Sequence, residues 1–574
     1  MATQAEIIAS LPRHLRGYVK EQDYARYTAQ DHAVWRFIMR QLQRVLRGSA
    51  HPVYFEGLAK TGISLEHIPS IDEMNRCLEK LGWRALVVDG YIPTSVFSEF
   101  QMRRILVIAM DMRSIDNLLY TPAPDIVHEA AGHAPFIVDV DYSEYLQRFG
   151  EISMKAISTE ADHRVYLAVR NLSTLKETRG TPQAALDDAQ RQLDAAIASN
   201  DQSSEAAKLS RLQWWTIEYG LVGTPDDYEL FGAGLLSSLG ESVSCRNDAK
   251  VVKRPLTVEA IDVAFDITRP QPQLFVAKSC AHLKQVLEVF AESMCFRRGG
   301  TESLRTAIAS RSVCTAQYNS GLEVTGVFDR VVTDAVGHAI YLHTASPTQL
   351  AYRGRQLPGH GRDTHADGFG SPVGRLQGMP RCLSEPSVDE LKQHGIGVGQ
   401  DVRLEFLSGI TVEGRLERIL REDGRNLLLT FGGCSVTGLD GECLFAPEWG
   451  LYDMAVGEVI ASVWGGPSDH EAFAGPDIGV VQATPPPPMT EAERRLDDLY
   501  AAVRALRVDP GTAPRSAASI HAALQEFPAD WLARLELLEI CGDDLARPLR
   551  AELDAIGRED PAKGHLIAMS GEGR

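Results

Sequence analysis

The hydrophobic residues change their spacing about halfway along the chain, and this change constrains the fold more than any single motif does. From residue 31 to 47, apolar side chains recur at steps of three and four, which predicts an amphipathic helix with Asp31 as its N-cap. Similar spacing continues to about residue 300. We therefore predict a mainly α domain at 1–315, with a helical insertion at about 172–210, where large apolar side chains are scarce.

Beyond about residue 315 the apolar residues alternate with polar ones, as between Val402 and Val412. Asp423-Gly424 stands before an apolar run and is a strong hairpin signal. These patterns predict a β-rich module of unknown role at 316–465, and the alternation is compatible with a small barrel.

The last part of the chain begins with a proline-rich stretch at 466–489, which ends in four consecutive prolines and predicts a stiff linker. Thr490 and Glu493 have the spacing of a capping box, so we predict a helical tail at 490–574. An apolar stripe on this tail would allow it to pair with another subunit, and a homo-oligomer formed through the C-terminal region is therefore one expectation; the stripe consists of Leu496, Leu499, Val503 and Leu506.

Composition excludes several classes of protein. The chain has 574 residues and 58 Lys and Arg against 77 Asp and Glu, a net charge of −19, so nucleic acid and anionic membrane surfaces are not expected partners. No apolar run is long enough for a signal core or a membrane span. The nine cysteines include no CxxC pair, and a reduced cytoplasmic protein is the expectation.

The densest chemical signal is the run DIVHEAAGH at 125–133. His128 and His133 are five positions apart, which places their rings about 140° apart on a regular helix. Both can reach one metal ion only if the backbone is distorted, and Gly132 is the residue most able to permit it.

A third ligand is available in the aromatic run LQWWTIEYG at 212–220, where Glu218 is the single carboxylate. A carboxylate inside such a run is costly unless it is paired or metal-bound, although a helix with Glu218 facing water is the alternative. Two histidines and one carboxylate form the facial triad of non-haem Fe(II) enzymes, and they also suit zinc. Two other functions therefore stay open: a zinc hydrolase with Glu129 as general base, and a non-catalytic scaffold with a partner-binding β module.

Ordered sequence blocks between about residues 25 and 305 resemble the pterin-dependent aromatic amino acid hydroxylases. The blocks are YTAQDHAVWRFIMRQ near 27, DGYIPTSVFSEFQ near 89, YTPAPDIVHEAAGH at 120, WWTIEYGL at 214 and FGAGLLSSLGE at 231. The resemblance implies a catalytic domain of that type. It also implies ring hydroxylation of an aromatic L-amino acid with Fe(II), O2 and a tetrahydropterin, with phenylalanine to tyrosine as the expected reaction.

The resemblance also implies roles for individual residues. The catalytic iron ligands would be His128, His133 and Glu218. The substrate site would be formed by Arg113, which would hold the substrate carboxylate, and by Thr121, Trp214 and Ser237, the last of which would also orient a ligand histidine. The pterin would stack on Phe97 and contact Ile92 and Glu129.

The chain departs from the family pattern at three positions in or near these blocks. Val107 replaces a histidine that many members have near the pterin, Ala123 replaces a glutamate, and Gln213 replaces an aromatic residue beside the substrate pocket. His133 and Glu218 are also about twice as far apart along the chain as is usual for the family, which the predicted insertion would explain.

Overall fold

The structure is a computed structural model, and none of its described helices is both long and apolar enough to cross a membrane. It describes residues 2–88, 92–119, 125–177, 181–200, 203–266, 270–474, 488–511, 513 and 515–571.

The N-terminal half is mainly helical. Its α-helices are α1 (Gln4–Ser10), α2 (Arg13–Arg16), α3 (Ala29–Leu46), α4 (Val53–Lys60), α5 (Ile71–Leu78), α6 (Thr94–Met102), α7 (Val140–Ser153), α8 (Glu160–Glu177), α9 (Gln183–Ala198), α10 (Glu205–Gln213), α11 (Ala233–Ser237), α12 (Glu241–Ser244), α13 (Cys280–Ala291), α14 (Cys295–Arg298) and α15 (Gly300–Ser310). Two further helices are π-helices, π1 (Val127–His133) and π2 (Trp214–Glu218).

Two small sheets accompany these helices. Their strands are β1 (Val19–Lys20), β2 (Arg84–Val88), β3 (Ile105–Ala109), β4 (Leu221–Thr224), β5 (Asp227–Leu230), β6 (Val252–Pro255) and β7 (Gln273–Ala277). The first sheet has the order β1-β2-β3 and the second the order β5-β4-β7-β6. The largest hydrophobic core includes residues of π1, π2 and α3, so the segments that contain the predicted ligands lie in this core.

The helix predicted at 31–47 exists, but it begins earlier than the sequence suggested. Its N-cap is Thr28 and not Asp31. The Thr28 hydroxyl accepts from the Asp31 N–H, and the Asp31 carboxylate accepts from the Thr28 N–H. Asp31 is therefore the third helical residue of a capping box, a role that an acidic residue fills as well as it fills the cap itself.

Strands dominate between residues 313 and 465. They are β8 (Val313–Tyr318), β9 (Leu322–Thr333), β10 (Ala339–Thr344), β11 (Gln349–Tyr352), β12 (Arg355–Gln356), β13 (Phe369–Pro372), β14 (Asp401–Glu405), β15 (Thr411–Glu422), β16 (Arg425–Thr437), β17 (Cys443–Phe445), β18 (Tyr452–Ala455) and β19 (Ile460–Gly465), with one helix, α16 (Val388–Gln393). They form two sheets and not one small barrel: β8 to β13 with β19, and β14 to β18.

The predicted turn at Asp423-Gly424 joins β15 to β16. Glu422 pairs with Arg425 across it, and both turn residues have positive φ, 46° at Asp423 and 78° at Gly424. Two consecutive residues with positive φ are what a two-residue type I′ hairpin requires.

Among the described residues, five helices follow the proline-rich stretch, whose residues 475–487 lie outside the described part of the chain. A short helix, α17 (His470–Ala474), lies within the stretch itself. The tail helices are α18 (Glu491–Val508), α19 (Ala517–Leu524), α20 (Leu532–Leu538), α21 (Asp543–Glu559) and α22 (Pro561–Met569). The predicted capping box of Thr490 and Glu493 opens α18.

The tail packs against α3 within the same chain. Leu499 and Val503 are buried in the core that contains α3. The buried Arg36 guanidinium forms two hydrogen bonds to the Glu536 carboxylate, of 2.6 and 2.5 Å. The apolar stripe that suggested subunit pairing is thus largely covered by the chain itself. Oligomerisation through the C-terminal region stays a prediction, but an exposed stripe no longer supports it.

Candidate metal centre

Three predicted ligands converge in the N-terminal half. His128 Nε2 lies 3.2 Å from His133 Nε2 and 3.2 Å from Glu218 Oε2, and His133 Nε2 lies 3.6 Å from the same carboxylate oxygen. All three side chains are largely withdrawn from solvent, with exposures of 16%, 7% and 14%. Their donor atoms therefore point at one small volume, which is what a shared metal ion requires.

The backbone distortion predicted near Gly132 is the π-helix π1. A π-helix bonds residue i to residue i+5, so side chains five positions apart come to the same side. Glu218 ends the second π-helix, π2. Both ligand-bearing segments thus have the rare helix type that is frequent at functional sites.

Gly132 allows π1 to approach α11 closely. A Cβ added to Gly132 would lie 2.8 Å from the carbonyl oxygen of Ala233 and 3.1 Å from its Cβ. Gly232 performs the same function for π2, because a Cβ there would lie 2.5 Å from the Glu218 carbonyl oxygen. The small residues of the 231–237 run therefore pack the two ligand-bearing helices against one short helix.

Ser237 on α11 orients the first ligand. Its hydroxyl donates to the Ala233 carbonyl at 2.7 Å, so it is free to accept from His128 Nδ1 at 3.0 Å. The Nδ1–H of His128 is thereby fixed toward Ser237, and Nε2 faces His133 and Glu218. A partner on the non-ligating nitrogen is the usual requirement of a metal-binding histidine.

The protonation pattern suits a cation. Burial acts to raise the pKa of Glu218, but the charges of His133 and His128 and a hydrogen bond from His128 lower it to about 2. Burial lowers the pKa of His133 to about 4. Burial also opposes protonation of His128, but Glu218 outweighs it and raises that pKa to about 9. A metal ion would take the place of the His128 proton, which stabilises the same carboxylate.

Glu129 lies beside this cluster. Its Oε2 is 3.9 Å from His133 Nε2, and burial raises the pKa of the Glu129 carboxyl to about 8. The spacing of His128 and His133, five residues apart, also differs from the HExxH motif of zinc proteases, in which Glu is the general base.

Arg113 is buried and paired. Its Nε and NH2 groups donate to the two oxygens of Asp125 at 2.7 and 2.8 Å, and NH1 donates to the Ser237 carbonyl at 3.3 Å. Asp125 also accepts from the His128 N–H at 3.0 Å. Asp125 therefore links Arg113 to the start of π1. Sequence reasoning gave it no role, although a carboxylate directly before a buried run needs a partner.

Trp214 has both ring faces covered by other rings. Phe265 stacks on it at a centroid distance of 4.4 Å and Tyr219 at 4.6 Å. Its Nε1 is buried and has no hydrogen-bond partner among the residues that the structure describes. The indole can therefore line a substrate pocket only with its edge.

The remaining predicted residues are less directly placed. Phe97 and Ile92 pack at the edge of a small apolar cluster that also contains Val107. Thr121 and Ala123 lie outside the described residues. Gln213, a departure from the family pattern, forms a side-chain hydrogen bond that helps to lower the pKa of Glu218. The sequence analysis did not anticipate this contact.

Comparisons with known proteins match the part of the chain that contains the three predicted ligands. The model of the biopterin-dependent aromatic amino acid hydroxylases matches residues 13–170 and 187–298, which include all three ligands. The match is interrupted at 171–186, between the last turns of α8 and the start of α9, which overlaps the first part of the predicted insertion.

Curated relatives match the same half. Phenylalanine-4-hydroxylase of Ralstonia nicotianae is 30% identical over 274 residues, and the match covers 44% of this chain and 74% of the relative. The enzyme of the same name from Pseudomonas aeruginosa is 28% identical and covers 47% of this chain and 86% of the relative.

A solved structure of phenylalanine hydroxylase from Chromobacterium violaceum, with bound iron(III) and 7,8-dihydrobiopterin, covers 51% of this chain and 92% of that chain. It has 23% identity and a TM-score of 0.38. On the family match and the Ralstonia relative, the chain belongs to the biopterin-dependent aromatic amino acid hydroxylases and is a pterin-dependent aromatic amino acid monooxygenase.

Proposed function

We propose that this chain hydroxylates the ring of L-phenylalanine to give tyrosine, with Fe(II) held by His128, His133 and Glu218, and with O2 and a tetrahydropterin as co-substrates. The observation that carries the proposal is the convergence of these three donors within 3.2 to 3.6 Å. Relatives named phenylalanine-4-hydroxylase, from bacteria to Bos taurus, support phenylalanine as the substrate.

The donor set fits iron. Two imidazoles and one carboxylate leave coordination positions open, and the bond from His128 Nδ1 to Ser237 fixes the ring in the orientation that ligation requires. When bound, the reduced pterin supplies two electrons and the iron supplies a site for O2 activation. The protein's own contribution is to hold these groups beside the amino acid and to exclude water.

Arg113 is our candidate for the substrate carboxylate. Asp125 takes two of its five N–H groups and the Ser237 carbonyl takes a third, so two N–H groups are left. The ion pair with Asp125 also holds the guanidinium plane fixed, which favours bidentate binding of a second carboxylate. Thr121, the edge of Trp214 and the 231–237 run that contains Ser237 would complete the amino acid pocket.

Glu129 is our candidate for polar contact with the pterin, with Phe97 as the stacking ring and Ile92 beside it. Glu129 lies beside the proposed iron site, with Oε2 3.9 Å from His133 Nε2. Its carboxyl oxygens can accept hydrogen bonds from the N–H groups of a pterin ring.

A product assay tests the proposal. The iron-loaded full chain is incubated with tetrahydropterin and L-phenylalanine, L-tyrosine or L-tryptophan, and products are identified by mass. We expect tyrosine from phenylalanine as the main product. Hydroxylation of tryptophan or tyrosine alone would overturn the substrate, and activity that needs zinc and not iron would overturn the metal.

Arg113→Lys tests the substrate role separately. Lysine retains the charge that Asp125 needs but lacks the planar fork. We expect the KM for phenylalanine to rise while iron content is retained. Loss of iron with an unchanged KM would instead make Arg113 a support for π1.

A further inference from the structure

A second group of metal-ligating side chains lies in the strand-rich region, outside the family match. His360 and His365 lie in the loop between β12 and β13, and Asp453 lies on β18. His360 Nδ1 is 3.3 Å from His365 Nε2 and 3.5 Å from Asp453 Oδ2, and His365 Nε2 is 3.9 Å from the same oxygen. Their side-chain exposures are 1%, 10% and 10%.

These distances suit one small cation. Donors bonded at about 2.0–2.1 Å to a tetrahedral ion lie about 3.4 Å from one another. The three distances between donor atoms here, 3.3 to 3.9 Å, span that value. The corresponding distances at the proposed iron site, 3.2 to 3.6 Å, span it as well. The imidazole rings are also nearly parallel, with centroids 5.5 Å apart.

The protonation of the cluster is compatible with ligation. Burial lowers the pKa of His360, and it lowers that of His365 to about 4. Both rings are therefore neutral at physiological pH. The Thr430 hydroxyl donates to Asp453 Oδ1 at 2.5 Å, which leaves Oδ2 facing the histidines.

One neighbouring cation opposes metal binding. The NH2 group of Arg418 donates to His360 Nε2 at 3.0 Å, so a neutral His360 has its proton on Nδ1. A metal on Nδ1 would require the proton on Nε2, and the Arg418 guanidinium would have to turn away. Arg418 itself is exposed, so its guanidinium can turn toward solvent.

A third group, His14, Glu99 and His470, is less suited to a metal. The Glu99 carboxylate already accepts from Arg103 at 3.0 and 2.7 Å and contacts His14 Nε2 at 2.8 Å. Those bonds account for the buried charge without an ion. The group of His360, His365 and Asp453 differs. Among the described residues, the exposed Arg418 is the only positively charged side chain that bonds one of these three.

We propose that His360, His365 and Asp453 bind one divalent transition-metal ion, for which Zn²⁺ is the best match, at a site separate from the catalytic centre. Two imidazoles and one carboxylate form a common zinc ligand set, and a water molecule would complete four-coordination. The ion would join the loop after β12 to β18. The loop belongs to the sheet of β8 to β13 and β19, whereas β18 belongs to the sheet of β14 to β18. The ion would stabilise the contact between the two sheets by mass action.

The test uses the full chain carrying His128→Ala and His133→Ala, so that the catalytic centre cannot compete. The metal-stripped protein is titrated with Zn²⁺ against a chelating dye, and with Co²⁺ by visible absorption. We expect one equivalent to bind, with a Co²⁺ spectrum of the tetrahedral type and a higher Tm. Absence of any stoichiometric binding would overturn the proposal.

Further substitutions assign the ligands. His365→Ala and Asp453→Asn should each weaken binding by more than about 100-fold, since each removes one of three protein ligands. His338→Ala, in which the lost ring is 80% exposed on a turn, should change nothing. Binding that survives both ligand substitutions would contradict the assignment.

Arg418→Ala keeps the proposal testable even if the ligand variants fold poorly. Because it removes an exposed competing cation, we expect about tenfold tighter binding and an unchanged Tm without metal. Unchanged or weaker binding would show that His360 Nδ1 is not a ligand.

Discussion

Among the histidine pairs five residues apart, His128 with His133 and His360 with His365 each meet a shared carboxylate, and the backbones of these two pairs differ. The first pair lies on a π-helix packed against α11, whereas the second lies in a loop between two strands. Five-residue spacing on a helix demands a specific distortion, and the sequence must provide for it with Gly132. In a loop the same spacing demands nothing, so only the structure shows that the second pair converges.

The two clusters also differ in what surrounds them. At the first, two hydrogen bonds favour ligation: Ser237 accepts from the non-ligating nitrogen of His128, and Gln213 bonds Glu218. At the second, Thr430 supports Asp453 but Arg418 competes at His360. We infer that the first site is preorganised for a metal ion. The second site binds its metal ion more weakly, with an affinity that depends on the position of Arg418.

Loss of a ligand gives the largest expected difference between the two regions. His133→Ala or Glu218→Ala should abolish iron loading and hydroxylation, an effect larger than the roughly 100-fold that supporting residues produce. His365→Ala should instead leave the iron content unchanged. Iron analysis of the purified variants checks both statements. Full iron loading in His133→Ala would show that the predicted triad is not the iron site.

Supporting hydroxyls provide the next contrast. Ser237→Ala removes the acceptor for His128 Nδ1–H, so we expect iron affinity to fall by about 10- to 100-fold. Thr430→Val should weaken only the proposed second site. Ser242→Ala is the matched control, because its buried hydroxyl bonds only within its own helix region, to Leu239. Equal effects of Ser237→Ala and Ser242→Ala would mean that the role of Ser237 is packing alone.

The glycines next to the two motifs test the backbone difference directly. In Gly132→Ala the new Cβ would meet the Ala233 carbonyl, which also anchors Ser237, and neither backbone segment can easily move. We expect a loss of about 1–3 kcal/mol in stability and a lower iron affinity. In Gly361→Ala the three atoms nearest the new Cβ all belong to the end of the Gln356 side chain, which is more flexible than backbone.

Thermal unfolding of both glycine variants, followed with and without iron, measures this difference. Gly361→Ala should unfold within a degree or two of the parent, since small surface changes rarely exceed about 0.5 kcal/mol. If Gly132→Ala is equally harmless, close approach of π1 and α11 is not what positions His128.

Local signals were predictable from the sequence, and long-range partners were not. The hairpin at Asp423-Gly424 and the capping box at Thr490 depend on neighbouring residues only, and both are present. The distortion near Gly132 followed from the spacing of two histidines, although its form as a π-helix did not. The wrong prediction of Asp31 as the N-cap of α3 is also local. Thr28 and Asp31 are both suitable N-cap residues, and Thr28 is the one that takes the position.

Partners far apart along the chain carry no periodic signal. Arg36 pairs with Glu536 across 500 positions, and Asp453 meets two histidines of the loop between β12 and β13. The ion pair of Arg113 with Asp125 was missed for a related reason. The family resemblance implies that Arg113 binds the substrate carboxylate, and it says nothing about a partner of Arg113 within the protein. Geometry from the folded chain is what identifies such pairs.

The smallest expected effect concerns Gln213, where this chain departs from the family pattern. Its hydrogen bond helps to hold the pKa of Glu218 at about 2, behind the larger effects of His133 and His128. Gln213→Leu removes that bond, so the pKa of Glu218 should rise while staying well below neutrality, and iron affinity at pH 7 should fall by less than about tenfold. A proton competes with the metal for Glu218, and a carboxylate with a lowered pKa loses its charge as the pH falls. The variant should therefore release iron at a higher pH than the parent.

Gln192→Leu is the matched control, since Gln192 bonds a surface carboxylate, Asp188, far from the site. Iron content measured between pH 7 and pH 4 checks the prediction, and identical release curves for the two variants would remove Gln213 from the set of residues that preorganise the first site.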